Sequence, residues 1–377
     1  MFRTIRMLSI VILVIIAGLP VGSNAQDEGR GSGAVFVMTN AADNNEIIAY
    51  KRNSDGSLTE GQTFPTGGRG SGGLSDPLGS QGSLTLTTNH FFLLAVNAGS
   101  GEISVFGVLG DHLFLASKTP CGGSEPVAVA EHGDLVYVVN AGGTSNVTGF
   151  RLDFDGRLTP IPNSTTFLTT ANSGASSLSF SPDGHFLLVT EKLTNNVDAF
   201  AVHTDGTLSA IVVNSIAAPG LFGVLFAPNG TVLVTATGPS GSTGDSTISS
   251  FAVHSNGTLS VTSASVPTDA TATCWHVVTP DGHFVYTSNP GSGTISGFKL
   301  ATNGSLTPID STIVATLPAG SSNLDIGITA DGKFLYTLDA GTGKVSIFAV
   351  NADGTLTSLG EVAGLTSNAG FNGIAAM

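Results

Sequence analysis

The chain has 377 residues and a formal net charge of −14, from 13 lysines and arginines against 27 aspartates and glutamates. Charged residues make up only 11% of the chain, which excludes a coiled coil and a charged disordered tail. The acidic balance argues against nucleic acid and anionic membrane surfaces as partners, because both require a basic face. The two cysteines are too few for a disulfide scaffold.

The N-terminal residues have the three-part layout of a secretory signal. Arg3 and Arg6 precede an apolar run over residues 7–19, and Ser23-Asn24-Ala25 supplies the small residues of a cleavage site. We therefore predict a signal peptide over residues 1–25 with cleavage after Ala25, a short linker over 26–33, and a secreted or periplasmic protein with no stable membrane insertion. An uncleaved anchor is the alternative, although the run is short for a membrane span.

From residue 34 to residue 377 the chain repeats one pattern seven times. Each copy has an apolar strand that ends in a polar residue, a Gly/Asn-rich turn, a second strand that ends in an aromatic residue, and a D-G-x-L turn. The closing aromatic residues are Tyr50, Phe106, Phe150, Phe200, Phe251, Phe298 and Phe348. Units of about 50 residues leave room for four short strands each, which is typical of a β-propeller blade.

The turns explain how such short strands can pair. Asp55-Gly56, Asp205-Gly206 and Asp353-Gly354 are examples of the turn that ends each repeat. Such dipeptides supply the positive φ angles of two-residue hairpins. No helical periodicity of useful length interrupts the pattern. The sequence therefore predicts an all-β, seven-bladed propeller whose blades are four-stranded and antiparallel.

The two ends of the repeat region predict a closed ring. The first strand, at 34–38, matches the second strand of the other units. The missing first strand is supplied by the C-terminus, where 370–375 resembles an inner strand with nothing after it. One blade built from both termini leaves no free edge between the first and last repeats. An open array with frayed ends is the alternative.

A propeller of this kind brings the ends of its second strands together at one mouth of the central channel. Seven residues after the turn glycine of the fourth unit comes Glu191, and the other units have a polar residue at the same offset. These residues are Asn40, Asn97, Asn140, Thr237, Asn289 and Asp339. We interpret them as a polar ring around a binding pocket. The alternative is that asparagine and aspartate simply begin the next turn, which they do readily.

The inner strands begin at the same mouth and add further candidates. Ser176 and Ser177 begin the inner strand of the fourth unit, Trp275 that of the sixth and Asp325 that of the seventh. Trp275 either stacks on a flat or sugar-like ligand or plugs the channel. Residues 66–82 form a Gly/Ser-rich loop over this mouth, either as a cover or as a plain connector. Histidines and cysteines show no metal-ligand spacing, so no metal and no cofactor are expected.

These motifs resemble the lactonase family of seven-bladed propellers. The motifs are S-P-D-G at 181–184, V-x-E at 189–191, V-x-x-F at 345–348 and D-G-x-L at 205–208. The family includes propeller-type 6-phosphogluconolactonases and carboxymuconate-lactonising enzymes, and residues 79–84 and 95–99 are similar to a secreted branch. The resemblance implies a lactone-opening enzyme with an Arg-His pair at the start of the fourth unit. The family pattern also has a Glu at the end of the second strand of that unit. Here Ser176-Ser177 stands in place of the Arg-His pair, and only the Glu is matched, by Glu191.

The sequence therefore leaves two functions open. The first is a secreted lactonase-family enzyme, a lactone hydrolase or a carboxymuconate cyclase-like protein. Its base would be Glu191. Its substrate would be a small neutral lactone or sugar-like molecule, because nothing basic lines the mouth to hold a phosphate group. The alternative is a non-catalytic binding or scaffold propeller of the YVTN or surface-layer type, which 136–140 and 285–289 resemble. An enzyme should show Glu191 in a concave pocket, and a binder a flat or plugged mouth. We expect a monomer in both cases.

Overall fold

The computed structural model describes residues 33–377, and the predicted signal peptide and residues 26–32 of the predicted linker lie outside this range. The described residues form 29 β-strands in seven antiparallel sheets and contain no α-helix. In particular, this part of the chain has no helix long and apolar enough to cross a lipid bilayer. The seven sheets are the predicted blades, so the all-β, seven-bladed architecture is confirmed.

Each blade runs from an innermost strand at the channel to an outermost strand at the surface. Blade 1 consists, from the inside outward, of β29 (Ile374–Ala376), β1 (Gly33–Met38), β2 (Glu46–Arg52) and β3 (Leu58–Pro65). Blade 2 consists of β4 (Leu84–Leu86), β5 (Phe92–Asn97), β6 (Glu102–Leu109) and β7 (His112–Pro120). Blade 3 consists of β8 (Ser124–His132), β9 (Leu135–Gly142), β10 (Asn146–Leu152), β11 (Leu158–Pro160) and β12 (Thr166–Phe167).

The remaining blades follow the same order. Blade 4 consists of β13 (Ala175–Phe180), β14 (Phe186–Glu191), β15 (Asn196–Ala201) and β16 (Val212–Ser215). Blade 5 consists of β17 (Leu221–Phe226), β18 (Val232–Ala236), β19 (Thr247–Val253) and β20 (Leu259–Pro267). Blade 6 consists of β21 (His276–Val278), β22 (Phe284–Asn289), β23 (Thr294–Leu300) and β24 (Leu306–Thr316). Blade 7 consists of β25 (Asn323–Ile328), β26 (Phe334–Asp339), β27 (Lys344–Val350) and β28 (Leu356–Ala363).

The ring closes in blade 1, as the sequence predicts. Strand β29 pairs antiparallel with β1 through Val35↔Ala376, Phe36↔Ala375 and Val37↔Ile374. The two ends of the described chain thus complete one sheet. Blade 3 departs from the simple pattern, because its outermost strand is divided into β11 and β12, which both pair with β10. Pro160 and Pro162 lie at this break, and proline cannot donate a ladder hydrogen bond.

The D-G and N-G turns hold neighbouring blades together. In six of them the glycine carbonyl accepts a side-chain hydrogen bond from the preceding blade. The donor and acceptor pairs are Tyr336 Oη to Gly56, Ser117 Oγ to Gly156, Tyr137 Oη to Gly206, Asn214 Nδ2 to Gly257, Ser250 Oγ to Gly304 and Tyr286 Oη to Gly354. Each donor belongs to one blade and each acceptor to the next, so the repeated turn is an inter-blade contact.

The geometry of these turns differs from the two-residue hairpin that the sequence suggests. Only the glycine has a positive φ, for example 88° at Gly354, whereas Asp353 does not. The Asp353 carboxylate instead accepts bonds from the backbone N–H and the hydroxyl of Thr355. Glycine is required at this position for two reasons. One is the positive φ, and the other is that a Cβ at Gly354 would lie 2.4 Å from the Phe284 ring of blade 6.

We predict that Gly354→Ala lowers the free energy of unfolding by about 3 kcal/mol, because it combines a strained φ with a clash against Phe284. Gly230→Ala is the matched control, since Gly230 has a φ of 85° but a Cβ there would meet nothing within 4 Å beyond its chain neighbours. The control should cost about 1 kcal/mol. Denaturant unfolding measures both values, and equal losses would show that the turn does not contribute to blade packing.

Candidate functional site

A central cavity of about 1030 Å³ runs along the axis of the ring. All seven innermost strands contribute to its wall, from Leu84 in blade 2 to Ile374 in blade 1. Its rim is formed by turns between first and second strands, which include Asn89, Gly133 and Pro182. The cavity therefore opens on the face opposite the mouth at which the sequence predicted a pocket. We call this the open face, and the other the closed face.

A segment that we call the plug, residues 74–82, closes the channel at the closed face. The carbonyl of Ser80 accepts a 2.7 Å bond from Trp275 Nε1, and the Ser80 hydroxyl donates to Val127 O at 2.8 Å. Gln81 extends the contacts across the axis, since its backbone N–H donates to Ser176 O and its Nε2 donates to His276 O. The plug is thus attached to blades 3, 4 and 6.

Two half-buried charged side chains, Lys192 and Asp76, fasten the plug further through hydrogen bonds. Lys192 donates to Gly79 O and lies 5.3 Å from the centre of the Phe222 ring. Burial lowers the pKa of Lys192, and nearby Asp76 partly opposes this change. Asp76 accepts bonds from Gly79 N–H and from Asn372 Nδ2 of the C-terminal segment. Burial raises the pKa of Asp76 to about 6, although these donors and Lys192 favour its charged form.

The predicted aromatic candidate lies under the plug. Trp275 is completely buried and packs edge-to-face on Phe222, with ring centres 4.8 Å apart. Ser176 is also buried, and its hydroxyl donates to Phe222 O at 2.9 Å. Neither side chain lines the cavity, whereas Ser177 and Asp325 do. A ligand-binding role for Trp275 or Ser176 stays a prediction.

The polar residues at the ends of the second strands lie outside the cavity and bond to neighbouring strands and loops. Asn97 Nδ2 donates to Ser104 Oγ at 2.8 Å, and Asn289 Nδ2 donates to Ser296 Oγ at 2.8 Å. The others bond similarly: Asn40 to Ser71 and Gly370, Asn140 to Cys121 and Asn146, Thr237 to Gly220, and Asp339 to Ser346. The structure thus gives all of them protein partners, and their predicted contact with a ligand stays untested.

Glu191 is fully buried and does not line the cavity. Its carboxylate accepts bonds from the backbone N–H of Thr169 at 2.9 Å, from the Thr169 hydroxyl, and from the Thr194 hydroxyl at 2.5 Å. Asp198 on strand β15 is its acidic neighbour. Burial, and then the charge of Glu191, raise the pKa of Asp198 to about 8, so this side chain is mostly protonated at pH 7.

Asp325 is a buried carboxyl group in the cavity wall, close enough to Asp76 of the plug for that charge to raise its pKa further. It is 3% exposed and accepts bonds from the backbone N–H groups of Ile326 at 2.9 Å and Ile374 at 3.3 Å. Burial raises the pKa of Asp325 to about 7, and the two backbone donors oppose this change. A carboxyl group that titrates near neutrality can accept and return a proton at physiological pH.

Two further lining groups were not predicted from the sequence. Glu131 and His132 lie at the open face, where Glu131 accepts bonds from the backbone N–H and the hydroxyl of Thr88. They lie two and one residues before the turn glycine Gly133, and that position is the signal that could have identified them. Among the described residues, no lysine or arginine lines the cavity. Within residues 33–377, no three His, Cys, Asp or Glu side chains are grouped to hold a metal ion.

The sequence matches a family model described as "Lactonase, 7-bladed beta-propeller" over residues 127–241 and 223–371. Together these stretches span 127–371, which is more than half of the chain. The chain belongs to the seven-bladed β-propeller lactonase family. The resemblance inferred from the repeat motifs is therefore confirmed. A search of curated protein sequences finds no match.

Solved structures share the fold at low sequence identity. The Pseudomonas aeruginosa periplasmic gluconolactonase superposes with a TM-score of 0.68 at 16% identity, covering 90% of this chain and 98% of that one. A Bacteroides uniformis protein, provisionally assigned as a 6-phosphogluconolactonase, gives 0.67 at 19% identity, with 92% and 100% covered. A Bacteroides fragilis protein with the same provisional assignment gives 0.65 at 18% identity, with 94% and 99% covered.

The buried carboxyl group of Asp339 makes the stability of the fold depend on pH. Its pKa is raised to about 8, by burial first, although the Ser346 bond opposes this. An unfolded aspartate titrates near 3.9, so the native state holds an extra proton between about pH 4 and 8. This group therefore makes the fold less stable as the pH rises through that window.

We predict that Asp339→Asn stabilises the protein by about 3 kcal/mol at pH 8.5 and changes little at pH 4.5. The variant reproduces the Asn–Ser pair of blades 2 and 6. Denaturant unfolding at both pH values measures the effect. The control is Asp353→Asn, at an exposed turn where hydrogen bonds lower the pKa, and it should not stabilise at either pH. An unchanged pH dependence in Asp339→Asn would contradict the prediction.

Proposed function

We propose that the protein hydrolyses a neutral lactone in the central channel, with Asp325 as the general base. The observation that supports this most is a carboxyl group with a pKa of about 7 in the wall of a cavity that opens on one face. Membership of the lactonase family supports the reaction class. Two of the similar structures are named as a gluconolactonase and a provisional 6-phosphogluconolactonase, which agrees with lactone chemistry.

The reaction needs a base and a water molecule beside the lactone carbonyl group. Asp325 accepts a proton from water, and the resulting hydroxide adds to the lactone carbonyl carbon. The ring C–O bond then breaks, and the leaving alkoxide takes the proton back from Asp325, which gives a hydroxy acid. Ser177 supplies a wall hydroxyl that can turn toward the carbonyl oxygen, because its bond to Val224 O is long, at 3.4 Å.

Glu191 was the base expected from the sequence, and that assignment remains a testable rival. Its three donors hold it in place, and it does not line the cavity. By contrast, Asp325 lines the space in which a substrate would lie. We therefore favour a structural role for Glu191, as the acceptor that joins blade 4 to the chain leaving blade 3.

A non-catalytic binding propeller is the second candidate. The plug closes the mouth at which the sequence predicted a pocket, and a plugged mouth was the expectation for a binder. Under this alternative the open face would bind a ligand without turnover. Export after Ala25 and a monomeric state also remain proposals, to be tested by N-terminal sequencing of the secreted protein and by light scattering.

We predict that Asp325→Asn lowers kcat/KM for lactone hydrolysis by about 100-fold or more, because it removes the base. Glu191→Gln should stay within about 3-fold of wild type. Acid release at constant pH, corrected for uncatalysed hydrolysis, measures both. Loss of activity in Glu191→Gln but not in Asp325→Asn would support Glu191 as the base. Binding of a lactone without turnover in the wild type would support the binding propeller.

The wild-type pH profile provides an independent check. A general base works in its deprotonated form, so kcat/KM should rise with pH through about 7 and level off above it. The variant Glu191→Gln should show the same midpoint. A flat profile across roughly two pH units on either side of that midpoint would argue against Asp325 as the base.

A further inference from the structure

The wall of the cavity is mainly hydrocarbon. Leu86, Phe180, Phe226, Val277, Ile328 and Ile374 are among the residues that line it. These residues come from six different blades, so the apolar surface surrounds the axis rather than forming one patch. Ligand pockets have volumes of about 300–1,000 Å³, and this cavity of about 1030 Å³ slightly exceeds that range. A bare sugar-sized lactone would leave much of this apolar surface in contact with water.

The charges of the cavity have one sign. Asp325 lies next to the plug and Glu131 at the open face, and among the described lining residues no lysine or arginine balances them. Lys192, which fastens the plug, is held by the Gly79 carbonyl and the Phe222 ring outside the cavity. A phosphate group entering this channel would lose its hydration without gaining a cationic partner.

We infer that the channel selects an uncharged lactone that carries a hydrocarbon substituent, admits it only from the open face, and excludes phosphorylated sugar lactones. This inference rests on the proposed function for the lactone ring but draws its specificity from the wall. The ring lies near Asp325 at the blind end, and the hydrocarbon substituent extends along the apolar wall toward the rim. Glu131 at the rim repels anions before they enter.

The test compares three substrates of one ring size. These are δ-decanolactone, which is neutral with an alkyl chain; glucono-δ-lactone, which is neutral and polar; and 6-phosphoglucono-δ-lactone, which is anionic. We expect kcat/KM for δ-decanolactone to exceed that for the phosphorylated lactone by at least about 100-fold, since an unpaired buried charge is strongly rejected. The δ-lactam that corresponds to δ-decanolactone resists hydrolysis, and its calorimetric binding reports recognition separately from turnover.

A charge variant at the rim tests the cause of the exclusion. Glu131→Lys should lower the ratio of kcat/KM for δ-decanolactone to kcat/KM for the phosphorylated lactone by about 10-fold, because the lysine attracts the anion. Asp43→Lys is the matched control, because it makes the same charge change at an exposed turn between β1 and β2, away from the open face. It should shift the preference by less than about 2-fold.

The outcomes separate the two proposals. Turnover of the phosphorylated lactone or gluconolactone as fast as δ-decanolactone overturns the inferred substrate class and leaves the lactonase proposal intact. Binding of the lactam without turnover of any lactone supports the ligand class and overturns the lactonase proposal. Absence of both turnover and lactam binding overturns both. An equal effect of Glu131→Lys and Asp43→Lys overturns the role of the rim carboxylate.

Discussion

The ring depends on hydrogen bonds between side chains of one blade and the turn-glycine carbonyl groups of the next. A four-stranded sheet of this size has two apolar faces and gains stability only when a neighbour covers them. At six turns a side chain of one blade bonds to the glycine carbonyl of the next, with tyrosines at three of the six. Each such bond satisfies a backbone acceptor that would otherwise be buried without a partner. Because these bonds join six of the seven pairs of adjacent blades, they help to hold the seven innermost strands around one axis.

The repeat carried enough information to predict this architecture. D-G turns, closing aromatic residues and the split of one blade between the two ends of the chain are local signals that agree with one another. The division of the outermost strand of blade 3 was not predicted, although Pro160 and Pro162 marked it. The turn type was also different, because the aspartate side chain bonds to residues two positions on and leaves only the glycine in the left-handed region.

The site was harder to predict, because strand register alone does not tell which end of a channel is open. Residues 74–82 have no periodicity, and nothing in their composition indicates that Ser80 and Gln81 bond across the axis to Trp275 and His276. Once those contacts close one end, residues at strand starts such as Trp275 become buried. Asp325 belonged to the expected set and does line the cavity, whereas Glu131 lies at the end where no pocket was predicted.

The plug lies across the far end of the channel, where Ser80 and Gln81 bond to blades 3, 4 and 6. Under the proposed function, the hydroxy acid formed near Asp325 leaves through the open face, by which the next substrate also enters. A compound that resembles this hydroxy acid and binds in the channel would then compete with the incoming substrate, so product inhibition is the kinetic consequence of the plug.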